Sequence, residues 1–173
     1  MKNIIYVSLA MLVLASCQKP NKIGFIDNGT VINEYQGKKD IEADFQTKDE
    51  AFRKRADSIG QAFQAEVQQA QKTAQRSSPK KQQELMAGLQ QKQQQLQQQM
   101  QVEQQQLAQE FQVQIDSAIV KVKDYVKEYG KANGYTFILG TSDAAASVLY
   151  GAEENDLTQI ILDSLNANYK KAE

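Results

Sequence analysis

The sequence predicts an α+β fold: a small β-containing body that carries a long antiparallel two-helix coiled-coil arm. Three observations predict it. The chain has 173 residues, 41% hydrophobic and 8% aromatic with no Trp, a thin inventory for one large compact core. Its aromatics cluster towards the two ends, and no Phe or Tyr occurs from Gln64 to Glu110. Apolar residues in the middle return at spacings of 3, 4 and 7, the mark of a heptad-type seam. The ends therefore meet as a body, and the middle projects from it.

The first element is a leader. Lys2 precedes an apolar run from Ile4 to Ala15, broken only by Tyr6 and Ser8. This describes a secretory signal over residues 1–16, since a spanning helix needs about 20 apolar residues. It ends Leu14-Ala15-Ser16-Cys17, which resembles the lipobox of bacterial lipoproteins, where small residues precede an obligatory Cys. The resemblance implies cleavage before Cys17 and acylation of its sulfur and new amino terminus. Several acyl chains anchor stably where one does not. The competing reading is an ordinary signal peptide with a chance Cys. Cys17 is the only cysteine, so no intramolecular disulfide forms. Residues 17–22 make a short polar tether. Gln18 is not the Asp that, in enteric bacteria, resembles an inner-membrane retention signal. Outer-membrane attachment facing the periplasm is favoured.

The body comprises residues 23–39 and 130–173. Lys22 to Asp27 reads as a strand, Asn28-Gly29 breaks it, and Thr30 is a candidate N-cap for a turn of helix through Tyr35. Gly37 marks an irregularity. The arm spans residues 40–129. Its outgoing seam is Ile41, Phe45, Phe52, Ala56, Ile59, Phe63, Val67, Ala70 and Ala74. Ser77-Ser78-Pro79 forms the tip, with Ser78 as N-cap and Pro79 at the first helical position. The returning seam is Leu85, Leu89, Leu96, Met100, Leu107, Phe111, Ile115, Ala118, Val122, Tyr125 and Tyr129. Lys92 or Gln93, and then Glu103, stand where an apolar residue is expected. About 38 residues outward span roughly 57 Å and about 50 back span roughly 75 Å, so the returning helix runs into the body. Gly60 and Gly88 each cost roughly 1 kcal/mol in a helix interior and soften the arm.

Gly130 and Gly134 end the second arm helix. Tyr135 to Gly140 reads as a strand, and Ser147 to Gly151 as a second after a small-residue turn at Ser142 to Ala146. Asp156 with Gln159 resembles a capping box for a last helix whose face is Leu157, Ile160, Ile161, Leu165 and Tyr169.

Chemistry finds little purchase. Net charge is −1, and no His is present. A nucleic-acid partner needs a basic excess that is missing, and the usual neutral-pH proton shuttle is missing too. Glu153, Glu154 and Asp156 suggest a metal, but a cap within a solvated turn explains them better. Ser142-Asp143 lacks a base, and Gly24 with Gly29 makes no phosphate-binding fingerprint. No catalytic residue, cofactor or metal is assigned, and no enzyme is expected. From Gln82 to Gln114, 17 of 33 residues are Gln. They form either an uncharged, adaptable contact surface or a solvated helix face. Lys72, Arg76, Lys80 and Lys81 flank the tip, with Glu84 nearby. They are candidates for contact with clients or acidic lipid, or a solubilising surface. Lys48, Arg53, Lys54 and Arg55 alternate with Asp49, Glu50 and Asp57 as a mixed helical surface.

Taken together, Ile23-Gly24-Phe25-Ile26-Asp27, the uninterrupted two-helix arm, and the closing segments Ile119 to Tyr129, Tyr135 to Leu139, Val148-Leu149-Tyr150 and Asp156-Leu157-Thr158 resemble the Skp (OmpH-like) family of periplasmic chaperones. The likeness covers Lys22 to about Lys171. It implies a homotrimer whose bodies join through their strands, with arms around a central cavity. It implies a holdase that works without ATP and keeps unfolded outer-membrane β-barrel proteins from aggregating. Phe45, Phe52, Phe63 and Phe111 are then candidate apolar contacts of the arm, for clients or for the hairpin seam itself. The chain departs from the family's basic, soluble pattern in its lipobox and slight acidity. The alternative is a structural coiled-coil envelope lipoprotein, a scaffold or spacer. Polar seam positions at Lys92 and Glu103, with glycines at 60 and 88, favour movable arms over a rigid rod.

Overall fold

The structure, a computed structural model, describes residues 21–142 and 147–172. Its elements are β1 (Ile23–Asp27), α1 (Asn28–Glu34), α2 (Gln36–Ala74), α3 (Pro79–Ala132), β2 (Phe137–Thr141), a 3-10 turn (Glu153–Asn155) and α4 (Thr158–Ala172). Helices α2 and α3 form the hairpin arm. β1 and β2 pair in parallel, Ile23 opposite Phe137 and Asp27 opposite Thr141. This is the predicted α+β architecture.

The core lies where the foot of the arm meets the sheet. Ile26, Val31, Tyr35, Ala118, Val122, Leu157, Ile161 and Leu165 are buried together. β1 and β2 turn one face inward: Gly24 and Ile26 are buried, and Ile138 packs against the cluster. α4 is tied across the molecule. Thr158 Oγ1 accepts from the Asp27 backbone N–H at 2.9 Å, and Asn166 Oδ1 accepts from the Gln36 N–H at 2.8 Å.

Several local expectations shift. Thr30 does not cap α1. Asp27 does, its Oδ1 accepting from the Thr30 N–H at 2.9 Å, so Asn28-Gly29 becomes the first turn instead of a break. A carboxylate accepts there as well as a hydroxyl, and it stands at the end of the strand where the turn must start. The irregularity falls at Tyr35, whose ψ of 120° separates α1 from α2. Gly37 lies within the first turn of α2, and the Tyr35 ring folds over it; a Cβ there would come within 2.6 Å of the ring, which is why the position takes Gly. Gly130 stays helical and packs on Ile138. α3 ends instead at Gly134, at φ 69°, with Tyr135 N–H donating to Gly130 O at 2.9 Å and Gly134 N–H to Lys131 O at 3.3 Å. That is a Schellman closure, which requires the left-handed residue Gly supplies.

Ser78 caps α3 as expected, accepting from the Lys81 N–H at 3.4 Å, with Pro79 in the first turn. The capping box before α4 is half made. Asp156 accepts from the Thr158 N–H at 2.9 Å, but Gln159 turns away to donate to Asp163. Ser147 to Gly151 is not a strand. The segment pairs with neither β1 nor β2; Gly151 sits tight against the Phe25 ring, so the end of the segment packs on a side chain of β1 and not along a strand edge. Of the small-residue turn, residues 143–146 lie outside those described.

Candidate functional site

The arm's two seams are the covered residues. On α2 between Ile41 and Ala70, every predicted seam residue is partly buried, and the seam closes with buried Ala74 at the tip. On α3 the partly covered run is Leu85, Leu89, Leu96, Met100, Leu107 and Phe111. No residue between Ala74 and Phe111 is buried outright, so the hairpin is narrow and its seam half wet. Such a seam buries too little apolar surface to be rigid.

The polar seam positions have partners across the arm. Lys92 pairs with Glu66, and Arg55 with Glu103. Lys48 Nζ stands 2.6 Å from Glu110 and 3.0 Å from Asp44. Those two carboxylates, as hydrogen-bond acceptors, raise the Lys48 pKa above its ordinary value. The mixed surface read from the sequence is therefore partly a clasp: Arg53 pairs along its own helix with Asp49 at 2.8 Å, while Lys48 and Arg55 reach across. Solvent screens these exposed pairs, so each contributes little stability. They set register more than strength.

The four phenylalanines divide. Phe45 and Phe111 stack on each other, centroids 4.2 Å apart. Phe52 is half-buried, with the Arg55 guanidinium 5.9 Å from its centroid. Phe63 lines an open cleft of about 470 Å³ with Ala56, Ile59, Gly60, Leu96, Met100 and four glutamines, none of them charged. At the tip, Lys72, Arg76, Lys80 and Lys81 are all exposed. Lys81 leans on Glu84 at 3.4 Å. Sequence reading missed Gln82, whose Nε2 donates to Ala74 O at 2.8 Å and to Ser77 O at 3.2 Å, locking the hairpin turn. An amide a few residues past a cap gives no distinctive signal. Cys17 lies outside the described residues.

The body has a second surface that the sequence pattern did not isolate. The outward face of the sheet is also apolar: Ile23 is 45% exposed, Phe137 57% and Leu139 42%. Leu149 and Tyr150, from the segment that is not a strand, are 92% and 89% exposed. Parallel strands are ordinarily covered on both faces, so this half-exposed apolar face is the body's candidate contact surface. The signal was present: neither strand alternates apolar with polar. Among the described residues, no cluster could hold a metal, and no helix is long and apolar enough to cross a membrane.

A long helical hairpin inserted between two strands of a small α+β body, with one apolar sheet face half-exposed, defines a class of coiled-coil-armed α+β proteins. The chain belongs to the OmpH-like outer membrane protein family, whose model matches residues 22–165. It is similar in fold to a crystal structure from Caulobacter crescentus described as that of an OmpH-like outer membrane chaperone. That likeness has a TM-score of 0.74 at 13% identity and covers 87% of each chain. No curated protein matches it in sequence.

Proposed function

We propose that the protein is a periplasmic holdase chaperone that binds unfolded outer-membrane β-barrel proteins without ATP, in a cavity between the arms of a homotrimer. It is anchored through acylated Cys17 to the outer membrane, and it catalyses no reaction. The observation that carries this reading is the contrast between arm and body. The arm is narrow, half wet and held in register by exposed ion pairs, which suits a surface that must adapt to many clients. The body leaves one apolar sheet face bare, which suits association of identical copies. The uncharged cleft at Phe63 and Met100 supports weak contact with apolar client side chains. Family membership supports the chaperone class.

A scaffold or spacer lipoprotein is the second reading, and one observation favours it: Lys92 and Glu103 have cross-arm partners, so the seam is less interrupted than its sequence suggests. The test uses the soluble form lacking residues 1–17. Mass is measured by light scattering, and aggregation of a denatured outer-membrane β-barrel protein is followed without nucleotide. A trimer that suppresses aggregation near one trimer per client is expected. A folded trimer with no effect on any unfolded barrel overturns the holdase reading in favour of the scaffold.

A further inference from the structure

We propose that the protein stands on its membrane by the foot of its body, with the arm tips pointing away, so that the basic tips meet incoming polypeptide and not the headgroups of the anchoring bilayer. The inference rests on the lipid-anchored trimer proposed above.

The chain enters the body at a defined place. Thr136 N–H donates to Lys22 O at 2.7 Å, and Lys22 Nζ donates to Asn133 O at 3.1 Å. The same ammonium lies 4.0 Å from the Tyr135 ring centroid, and Thr136 Oγ1 reaches Asn21 Oδ1 at 3.4 Å. Asn21 and Lys22 thus lie beside the turn that ends α3. The other end of α3 is the tip. Its 54 residues span about 81 Å at about 1.5 Å each.

From Lys22 back to Cys17 is roughly five peptide steps, at most about 18 Å when fully extended. An 18 Å leash fixed at one end of an 81 Å helix holds the foot, and not the tip, against the bilayer. A single leashed copy could still lie flat. Three copies related by a three-fold axis cannot, because their equivalent anchor points define a plane perpendicular to that axis. Leashes this short allow little tilt. The axis therefore stands along the membrane normal, and arms that run along it point outward. Lys72, Arg76 and Lys80 then stand many Debye lengths from the anchoring headgroups, one such length being about 8 Å at physiological salt. They carry no attraction to that surface.

Energy transfer to an acceptor dye in vesicle headgroups tests this. A donor is placed on Gln75→Cys, at the tip, or on Lys131→Cys, at the foot; both positions are exposed. Acylated Cys17 leaves the introduced thiol as the only one, and the dye pair is chosen so that its range falls between the two distances. Strong transfer from position 131 and none above background from position 75 is expected. Equal transfer from both, or stronger transfer from 75, overturns the proposal. The anchor is checked separately by mass and by vesicle flotation. If the full chain carries no acyl groups, the lipidation reading falls. The same two labels, on residues 18–173 tethered through an amino-terminal histidine tag to nickel-chelating lipid, then still decide the orientation by the same outcomes.

Discussion

Phe45 on α2 and Phe111 on α3 stack with centroids 4.2 Å apart and planes 31° from parallel, the one aromatic pair that joins the two arm helices among the described residues. The pair sits between the buried core of the body and the half-wet seam beyond. Both rings are only partly buried, so Phe111→Ala forfeits less than the full cost of a core aromatic. About 2 kcal/mol of arm stability is expected to go. Hydrogen exchange should quicken on both helices near the pair while amides around Val31 and Ile161 stay protected. Uniform loss of protection through the body would show that arm and body unfold as one unit.

Glycine substitutions should act with opposite sign in the two parts. Gly60 lies in the arm with nothing within 4 Å of where a Cβ would stand, whereas a Cβ on Gly24 would stand 2.5 Å from Leu157 Cδ1 and 3.1 Å from Tyr135 Cε1. Gly60→Ala is expected to stabilise the arm by about 1 kcal/mol. Gly24→Ala is expected to destabilise the body by about 1–3 kcal/mol, because Leu157 is 2% exposed and has little room to yield. Thermal melting of the two variants, read by circular dichroism, checks both signs.

The arm was the legible part of this chain, and the reason is physical. A hairpin seam is a local periodic pattern, so Ile41, Phe45, Leu96 and Leu107 could be placed from spacing alone. The tip was legible because Ser78 and Pro79 carry their own cap chemistry. What escaped depended on tertiary partners. Asp27 displaced Thr30 as a cap because the strand ends there. Val148 to Tyr150 has strand-forming residues but pairs with neither β1 nor β2, its following Gly151 being held on the Phe25 ring. Lys92 and Glu103 looked like gaps because their partners, Glu66 and Arg55, lie on the other helix. The outer sheet face went unnoticed because Ile23, Phe137 and Leu139 are apolar and their exposure depends on which face of the sheet the rest of the chain covers.

Arg55 and Glu103 set up a trade between stiffness and adaptability. Glu103 is partly buried at a seam position, so Glu103→Leu combined with Arg55→Gln replaces a screened ion pair with apolar packing. The arm should gain about 1 kcal/mol, because burying a Leu side chain in the seam outweighs an exposed pair that contributes about 0.2–1 kcal/mol, and its salt dependence should weaken to that of the remaining Lys48–Glu110 and Lys92–Glu66 pairs. The same variant should suppress aggregation of large clients less well, because a stiffer arm adapts less. A higher melting temperature with unchanged suppression would show that arm softness does not serve capture.

The half-exposed sheet face is where the proposed trimer should join. Phe137 and Leu139 project from the same face of β2 as Ile23 does from β1. Phe137→Asp leaves the inward residues Ile26 and Ile138 untouched, so the body should keep its helical signal. Light scattering should nonetheless show the mass fall to that of a single chain. A variant that remains an oligomer would move the interface elsewhere, with Leu149 and Tyr150 the next positions to change.

Alkaline pH should loosen the arm at its root. Burial raises the Tyr35 pKa above its ordinary value of 10.0, with the Asp40 carboxylate adding to it. Hydrogen bonds to Glu110 and Asp44 raise that of Lys48 above 10.5. Both groups hold their protons more tightly in the folded chain than in the unfolded one. Their stabilisation is thus complete below the unfolded values and is lost as pH rises through the folded ones. Tyr35, 4% exposed and edge-on to Tyr169 at 5.7 Å, should dominate, while the Lys48 contribution is screened by solvent. Stability followed by denaturant titration should therefore fall above about pH 10, as phenolate forms where the ring is buried. Tyr35→Phe keeps the ring and removes the ionisation, so its alkaline decline should be visibly shallower. Identical alkaline curves for the two proteins would show that Tyr35 does not control the root of the arm.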